Sequence, residues 1–215
     1  MNIVLLLFEG ITALDAVGPY EVLSRLPGVN LRIAGPRVGQ VRTDNRVLGM
    51  HVDVALDDIE AADVLLVPGG YGVDGLIRDP AVLAHVRRLD AGARYTTAVC
   101  TGSLVLGAAG LLHGLEATTH WARFDTLASY GATPVSRRVV TAGRIVTAAG
   151  VSAGIDMALT LAAELASPDV AQAIQLAIEY DPQPPFDSGH PRSAPAEVVA
   201  RVTAAIDRKR AASAA

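Results

Sequence analysis

The chain has a single cysteine, Cys100, and it lies in the segment "RYTTAVCTGSLVLGAAGLL" (94–112). Strand-favouring residues precede it, and small apolar residues of helical character follow. A core-filling cysteine can sit on any inward face, whereas a nucleophile has fewer places to go. The order A-V-C-T-G has the shape of the G-x-S-x-G nucleophile elbow. Small residues two positions to either side, Ala98 and Gly102, allow a strained turn that exposes the central side chain. A helix beginning near Thr101 would aim free N–H groups and its positive dipole end at the sulfur. Both effects lower a thiol pKa from its usual value of about 8.5 and favour the reactive thiolate. The competing reading is a buried small hydrophobe, and these local features leave both open.

Asp15 follows the first apolar run closely enough to reach the same end of a sheet. There it could shuttle a proton, or it could simply cap a helix or lie solvated in its first turn. The segment "PGGYGVDG" (68–75), with Gly69 and Gly70, could offer backbone N–H groups to an anionic intermediate. It could equally be an ordinary glycine turn. His120, in "ATTHW" (117–121), is a candidate base or orienting group for the thiol, or a satisfied structural histidine. His51, His85, His113 and His190 show no metal-ligand spacing, so no metal site is expected. Gly150 and Gly154 flank the start of a helix, where they allow close packing and leave room for a substrate. Tyr180, Asp181 and the "PQPPFDSG" loop could wall a pocket or a subunit contact. The chain has one lysine, Lys209, which argues against Schiff-base chemistry and against a phosphate-binding P-loop.

The elements that must hold these groups alternate. "NIVLLLF" (2–8) reads as a buried strand, 14–26 as a helix with Gly18 and Pro19 marking its start or a break, and 29–35 as a strand. Residues 39–53 read as a strand pair, 62–70 as a strand ending in the double glycine, and 80–92 as a helix with a glycine stop. The elbow segment is strand then helix. Short strands surround "TAGR" within 131–150, helices cover 151–167 and 168–179, and a terminal helix covers 196–211. The βαβα alternation predicts an α/β fold with a mainly parallel sheet sandwiched by helices. In such sheets ligands bind beyond the carboxyl ends of the strands, where Asp15, Gly69–Gly70 and Cys100 are expected to converge. One domain over 1–215 is predicted: a core (1–179), a Pro-rich loop (180–195), and a C-terminal helix and tail (196–215).

Composition agrees. Hydrophobic residues make up 51% of 215 and aromatics only 4%, so the core is Ala, Val, Leu and Ile. A net charge of −4 leaves no electrostatic footprint for nucleic acid. A lone cysteine excludes an intrachain disulfide framework. The start has no signal-peptide pattern and no apolar run long enough for a membrane span. A cytoplasmic protein with no membrane or nucleic-acid partner is expected.

At these residues the chain resembles the ThiJ/PfpI superfamily and, within it, the isocyanide (isonitrile) hydratases. The resemblance is carried by "LLLFEGITALDAVGPYEVLSRLP", "VLLVPGGYGV", "ARYTTAVCTGSLVLGAAGLLHGLEATTHWA", "GVSAGIDMALTLAAEL" and "QLAIEYDPQPPFDSG". It implies a flavodoxin-like, class I glutamine-amidotransferase-like fold with Cys100 as the elbow nucleophile and Asp15 as its acidic partner. Backbone N–H groups of Gly70 and Thr101 would stand near the reacting atom. Many relatives have glutamate at the Asp15 position and histidine directly after the cysteine. Thr101 in the latter place disfavours a peptidase-like triad and leaves Asp15 to carry the proton. The implied reaction hydrates a small isocyanide to an N-substituted formamide, a cofactor-free hydro-lyase activity of a homodimer. Two alternatives stay open: a cysteine-based redox sensor, and a thiol enzyme acting on reactive carbonyls such as methylglyoxal. Related transcription regulators add a helix-turn-helix module, for which one helix before Ala215 leaves no expected room.

Overall fold

Continuous aliphatic runs become strands buried on both faces. The computed structural model describes residues 1–214. In chain order, β1 (Asn2–Leu6), α1 (Ala13–Leu23) and β2 (Asn30–Gly35) precede a hairpin of β3 (Gly39–Arg42) and β4 (Gly49–Val52). Then come β5 (Val54–Ala55), β6 (Val64–Val67), α2 (Val73–Leu76) and α3 (Pro80–Gly92). β7 (Tyr95–Val99), α4 (Gly102–Ala108), β8 (Glu116–Ala117), α5 (Phe124–Ser129) and β9 (Thr133–Pro134) follow. β10 (Val139–Ala142), β11 (Ile145–Ala148), α6 (Ala153–Leu165) and α7 (Pro168–Ala177) complete the first of two compact units, Met1–Ile178. The second unit begins at Glu179. Its residues 180–195 form neither helix nor strand, and α8 (Ala196–Ala214) follows.

The main sheet has seven strands in the order β10-β11-β7-β6-β1-β2-β5. Every pairing in it is parallel except β10 with β11. Ile3, Leu5, Leu65, Leu66, Val99 and Val146 are buried in it, as expected for parallel strands with helices on both faces. The α/β architecture, the parallel sheet and the hairpin at 39–53 are those read from the sequence.

Local signals set the helix ends. Asp79 accepts hydrogen bonds from the N–H groups of Ala81 and Val82 ahead of α3, with Pro80 as the first helical residue. Ser167 and Pro168 repeat the device for α7. One expectation is overturned. Gly18 and Pro19 neither start nor break a helix, because α1 runs through both. Close packing on α6 holds them: a Cβ on Gly18 would meet Ile155 at 3.0 Å, and one on Gly154 would meet Pro19 at 3.0 Å. α2 and α5 are additional short helices that the sequence pattern does not reveal. No helix among the described residues is long and apolar enough to cross a membrane.

Candidate active site

Cys100 is the first residue after β7, and its backbone is left-handed at φ +56°. A non-glycine residue held there costs on the order of 1–3 kcal/mol, so the surroundings must fix it. They do so at both ends. The Cys100 N–H donates to the carbonyls of Ala148 (3.0 Å) and Ala149 (3.1 Å) at the end of β11. The buried hydroxyls of Ser103 and Thr119 each donate to its carbonyl at 3.0 Å. The glycine two residues on is required by space, since a Cβ on Gly102 would sit 2.1 Å from the Val67 carbonyl oxygen. The sulfur receives backbone N–H groups from Thr101 and Val151.

Asp15 faces this sulfur from the first turn of α1 and is fully buried. Its Oδ2 accepts the Gly69 N–H at 2.9 Å. Its Oδ1 is buried without a well-formed hydrogen bond. Burial pushes the Asp15 carboxyl up to about 7; the Gly69 N–H and the Cys100 thiol pull it down, and the Asp44 charge adds to the rise. For Cys100, burial and the charge of Asp15 drive the thiol well above its ordinary value, outweighing the lowering effect of the Thr101 and Val151 N–H groups. The expectation that the elbow by itself yields a thiolate is therefore corrected. α4 spans only Gly102–Ala108, and Cys100 is 5% exposed, so burial outweighs the helix end. Above about pH 7 the two groups together hold one proton.

Gly69 lies wedged between the catalytic candidates. A Cβ there would come within 2.6 Å of Thr101 N and 2.8 Å of Asp15 Oδ2. Gly70 has φ +139°, and its N–H donates to Thr101 Oγ1 at 3.0 Å. That hydroxyl donates back to the Gly70 carbonyl at 3.2 Å. The Gly70 N–H is thus already engaged, and the second N–H on the sulfur comes from Val151, which the sequence did not single out. His120 accepts the Ala122 N–H on Nδ1, and its Cδ2 lies 2.9 Å from where a Gly150 Cβ would be. Burial and the neighbouring Arg123 lower its pKa. Tyr180 and Asp181 belong to the second unit, where the Asp181 carboxylate accepts from Gln183 at 3.0 Å.

Two further residues are coupled to the site. Asp44, from the β3–β4 turn, accepts the Thr12 hydroxyl at 2.7 Å and acts electrostatically on Asp15 and Tyr71. Tyr71 follows the double glycine and also feels Cys100. A separate groove of about 580 Å³ lies between Phe8, Glu9, Arg37, Val38 and Leu76, and neither Cys100 nor Asp15 lines it. No three His, Cys, Asp or Glu side chains among the described residues are grouped to hold a metal ion.

The DJ-1/PfpI family model matches residues 1–164, the stretch that contains the elbow, Asp15 and the double glycine. The chain belongs to the DJ-1/PfpI family. Within that family it is similar to an isonitrile hydratase from Pseudomonas putida, at 49% identity over 93% of this chain and 87% of the relative. A crystal structure of a ThiJ/PfpI family protein from Pseudomonas syringae is 37% identical, with a TM-score of 0.94 over 99% of this chain and 88% of that one. A more distant relative is the helix-turn-helix transcriptional regulator CdhR of Pseudomonas aeruginosa, 32% identical over 73% of this chain and 47% of its own length.

Proposed function

We propose that the protein hydrates an isocyanide to an N-substituted formamide, with Cys100 as nucleophile and Asp15 as proton carrier. The observation that carries the proposal is Asp15 itself. A fully buried carboxyl, its Oδ2 held by the Gly69 N–H and its pKa pushed up to about 7, stands beside a strained elbow thiol. A group with that pKa both gives and takes a proton near neutrality. The similarity to the isonitrile hydratase supports the same reading.

In the reacting form the single proton of the pair sits on Asp15, with the charge on the sulfur, where the Thr101 and Val151 N–H groups stabilise it. The thiolate bonds to the terminal carbon of R–N≡C as Asp15 protonates that carbon. The product is the thioimidate Cys100–S–CH=N–R and an ionised Asp15. Asp15 then takes a proton from water as the hydroxide adds to the carbon, and passes that proton to the nitrogen. Loss of the hydroxyl proton to Asp15 forms the carbonyl, breaks the C–S bond and releases R–NH–CHO. Thiolate and protonated Asp15 are restored, and no outside reagent is consumed. Gly70 would contribute its N–H to an intermediate only by exchanging it from Thr101 Oγ1.

A redox-sensor role needs an accessible low-pKa thiol, and burial of Cys100 works against it. The deciding experiment measures formamide release from cyclohexyl isocyanide by wild type and Cys100→Ala. Turnover by the first and none by a folded second supports the proposal. No turnover by folded wild type would overturn it and leave 2-oxoaldehydes such as methylglyoxal, or peroxide, to be tried. We also propose a two-fold homodimer. The α1 face opposite Asp15 exposes Leu14, Val17 and Tyr20 at near-helical spacing, and sedimentation equilibrium would detect the pairing.

A further inference from the structure

Among the described residues Arg123 is the only arginine, lysine or histidine that is buried. Taking a guanidinium out of water is costly unless a carboxylate meets it, and its Nη2 donates to Asp74 Oδ1 at 2.8 Å. Its Nε donates to the Thr126 hydroxyl at 3.3 Å. The pair joins two segments that each hold the elbow. On one arm, the Arg123 N–H donates to the His120 carbonyl at 2.9 Å, and the hydroxyl of the preceding Thr119 donates to the Cys100 carbonyl at 3.0 Å. On the other, Asp74 lies in α2, where the Val73 N–H donates to the Gly70 carbonyl at 3.2 Å. The Gly70 N–H in turn donates to Thr101 Oγ1 at 3.0 Å, and Thr101 directly follows Cys100. Leaving Cys100 by its carbonyl and returning through Thr101, these contacts close a ring that passes through the elbow. The Arg123–Asp74 bond is the charged link in it.

We propose that Arg123 and Asp74 are positioning residues for the thiol: as an ion pair they lock the two arms together and hold Cys100 in its strained, buried turn. They act through Thr119 and Gly70 rather than on the sulfur. Without the pair, the left-handed Cys100 relaxes toward ordinary backbone angles, which exposes the thiol and misplaces it against Asp15.

The test reads Cys100, the chain's only thiol, by its rate of alkylation with iodoacetamide, followed by mass spectrometry at one fixed pH. Arg123→Met, which keeps the bulk and removes the charge, is expected to be alkylated about threefold faster than wild type or more. Arg123→Lys, which keeps the charge, is expected to stay closer to wild type. Asp74→Asn supplies the same comparison should Arg123→Met fail to fold. The double variant is expected to react no faster than the faster single one. A folded Arg123→Met with the wild-type rate, whatever its Tm, overturns the positioning role. Rate factors that multiply in the double variant overturn action as a pair. Formamide release from cyclohexyl isocyanide, which rests on the isocyanide reading above, is expected to lose about tenfold or more in kcat with Arg123→Met. Failure of folded wild type to release formamide overturns that reading and leaves alkylation to decide this one.

Discussion

Gly69 meets Asp15 in two ways: its N–H donates to Oδ2 at 2.9 Å, and a Cβ on the same residue would stand 2.8 Å from that oxygen. The hydrogen bond and the missing side chain together set where the carboxyl sits relative to the thiol. Gly69→Ala must displace either Asp15 or the Thr101 backbone. The expected result is a folded protein whose kcat/KM falls by roughly two orders of magnitude, measured as formamide release.

In the proposed reaction Asp15 also sets the pH response of activity. With its pKa at about 7, the pair is doubly protonated below that value and holds one proton above it. Only the singly protonated form can supply a thiolate together with an acid. Activity should therefore rise as pH increases through about 7 and level off beyond it. Asp15→Asn should lose turnover by about a thousandfold or more and show no such limb.

The same shift bears on stability. The folded-state pKa of Asp15 is raised from 3.8 to about 7, so protonation favours the folded chain. That contribution is fully present below about pH 4 and is lost as pH rises through 7. Asp15→Asn does not titrate there. Urea unfolding should show the variant gaining on wild type between pH 5 and pH 8, by about 3 kcal/mol at most.

A structural ion pair gives a control far from the chemistry. Arg144, in the β10–β11 turn, donates to Asp90 Oδ1 at 2.8 Å and to Oδ2 at 2.6 Å, and the Asp90 side chain is only 6% exposed. Arg144→Ala leaves that carboxylate buried and unpaired. The expected cost is about 2–3 kcal/mol, discounted for the exposed guanidinium, read as a lowered Tm. Turnover per folded molecule should change little.

Much of this arrangement is legible in the sequence because it is local. Ala98 and Gly102 around Cys100 announce the elbow, and Asp79-Pro80 and Ser167-Pro168 announce helix starts. Gly18-Pro19 misleads because the pressure that keeps it helical comes from Ile155 and Gly154 on another helix. Val151 and Asp44 have no signature of their own. They reach the site through the end of β11 and the tip of a hairpin, and only the folded chain brings them there. The raised thiol pKa escapes a sequence reading for the same reason: the helix end can be read from the residues near Cys100, whereas the burial that overrides it comes from the whole fold.

Thr101 and Gly70 form a closed pair, each lending one hydrogen to the other through the same hydroxyl. An imidazole has no single atom that can accept from an amide and donate to its carbonyl at once. Replacing Thr101 by histidine would thus strand the loop as well as change the elbow. A change at the residue after the cysteine therefore has to be matched in the double-glycine loop, whose Gly70 N–H and carbonyl both depend on that hydroxyl.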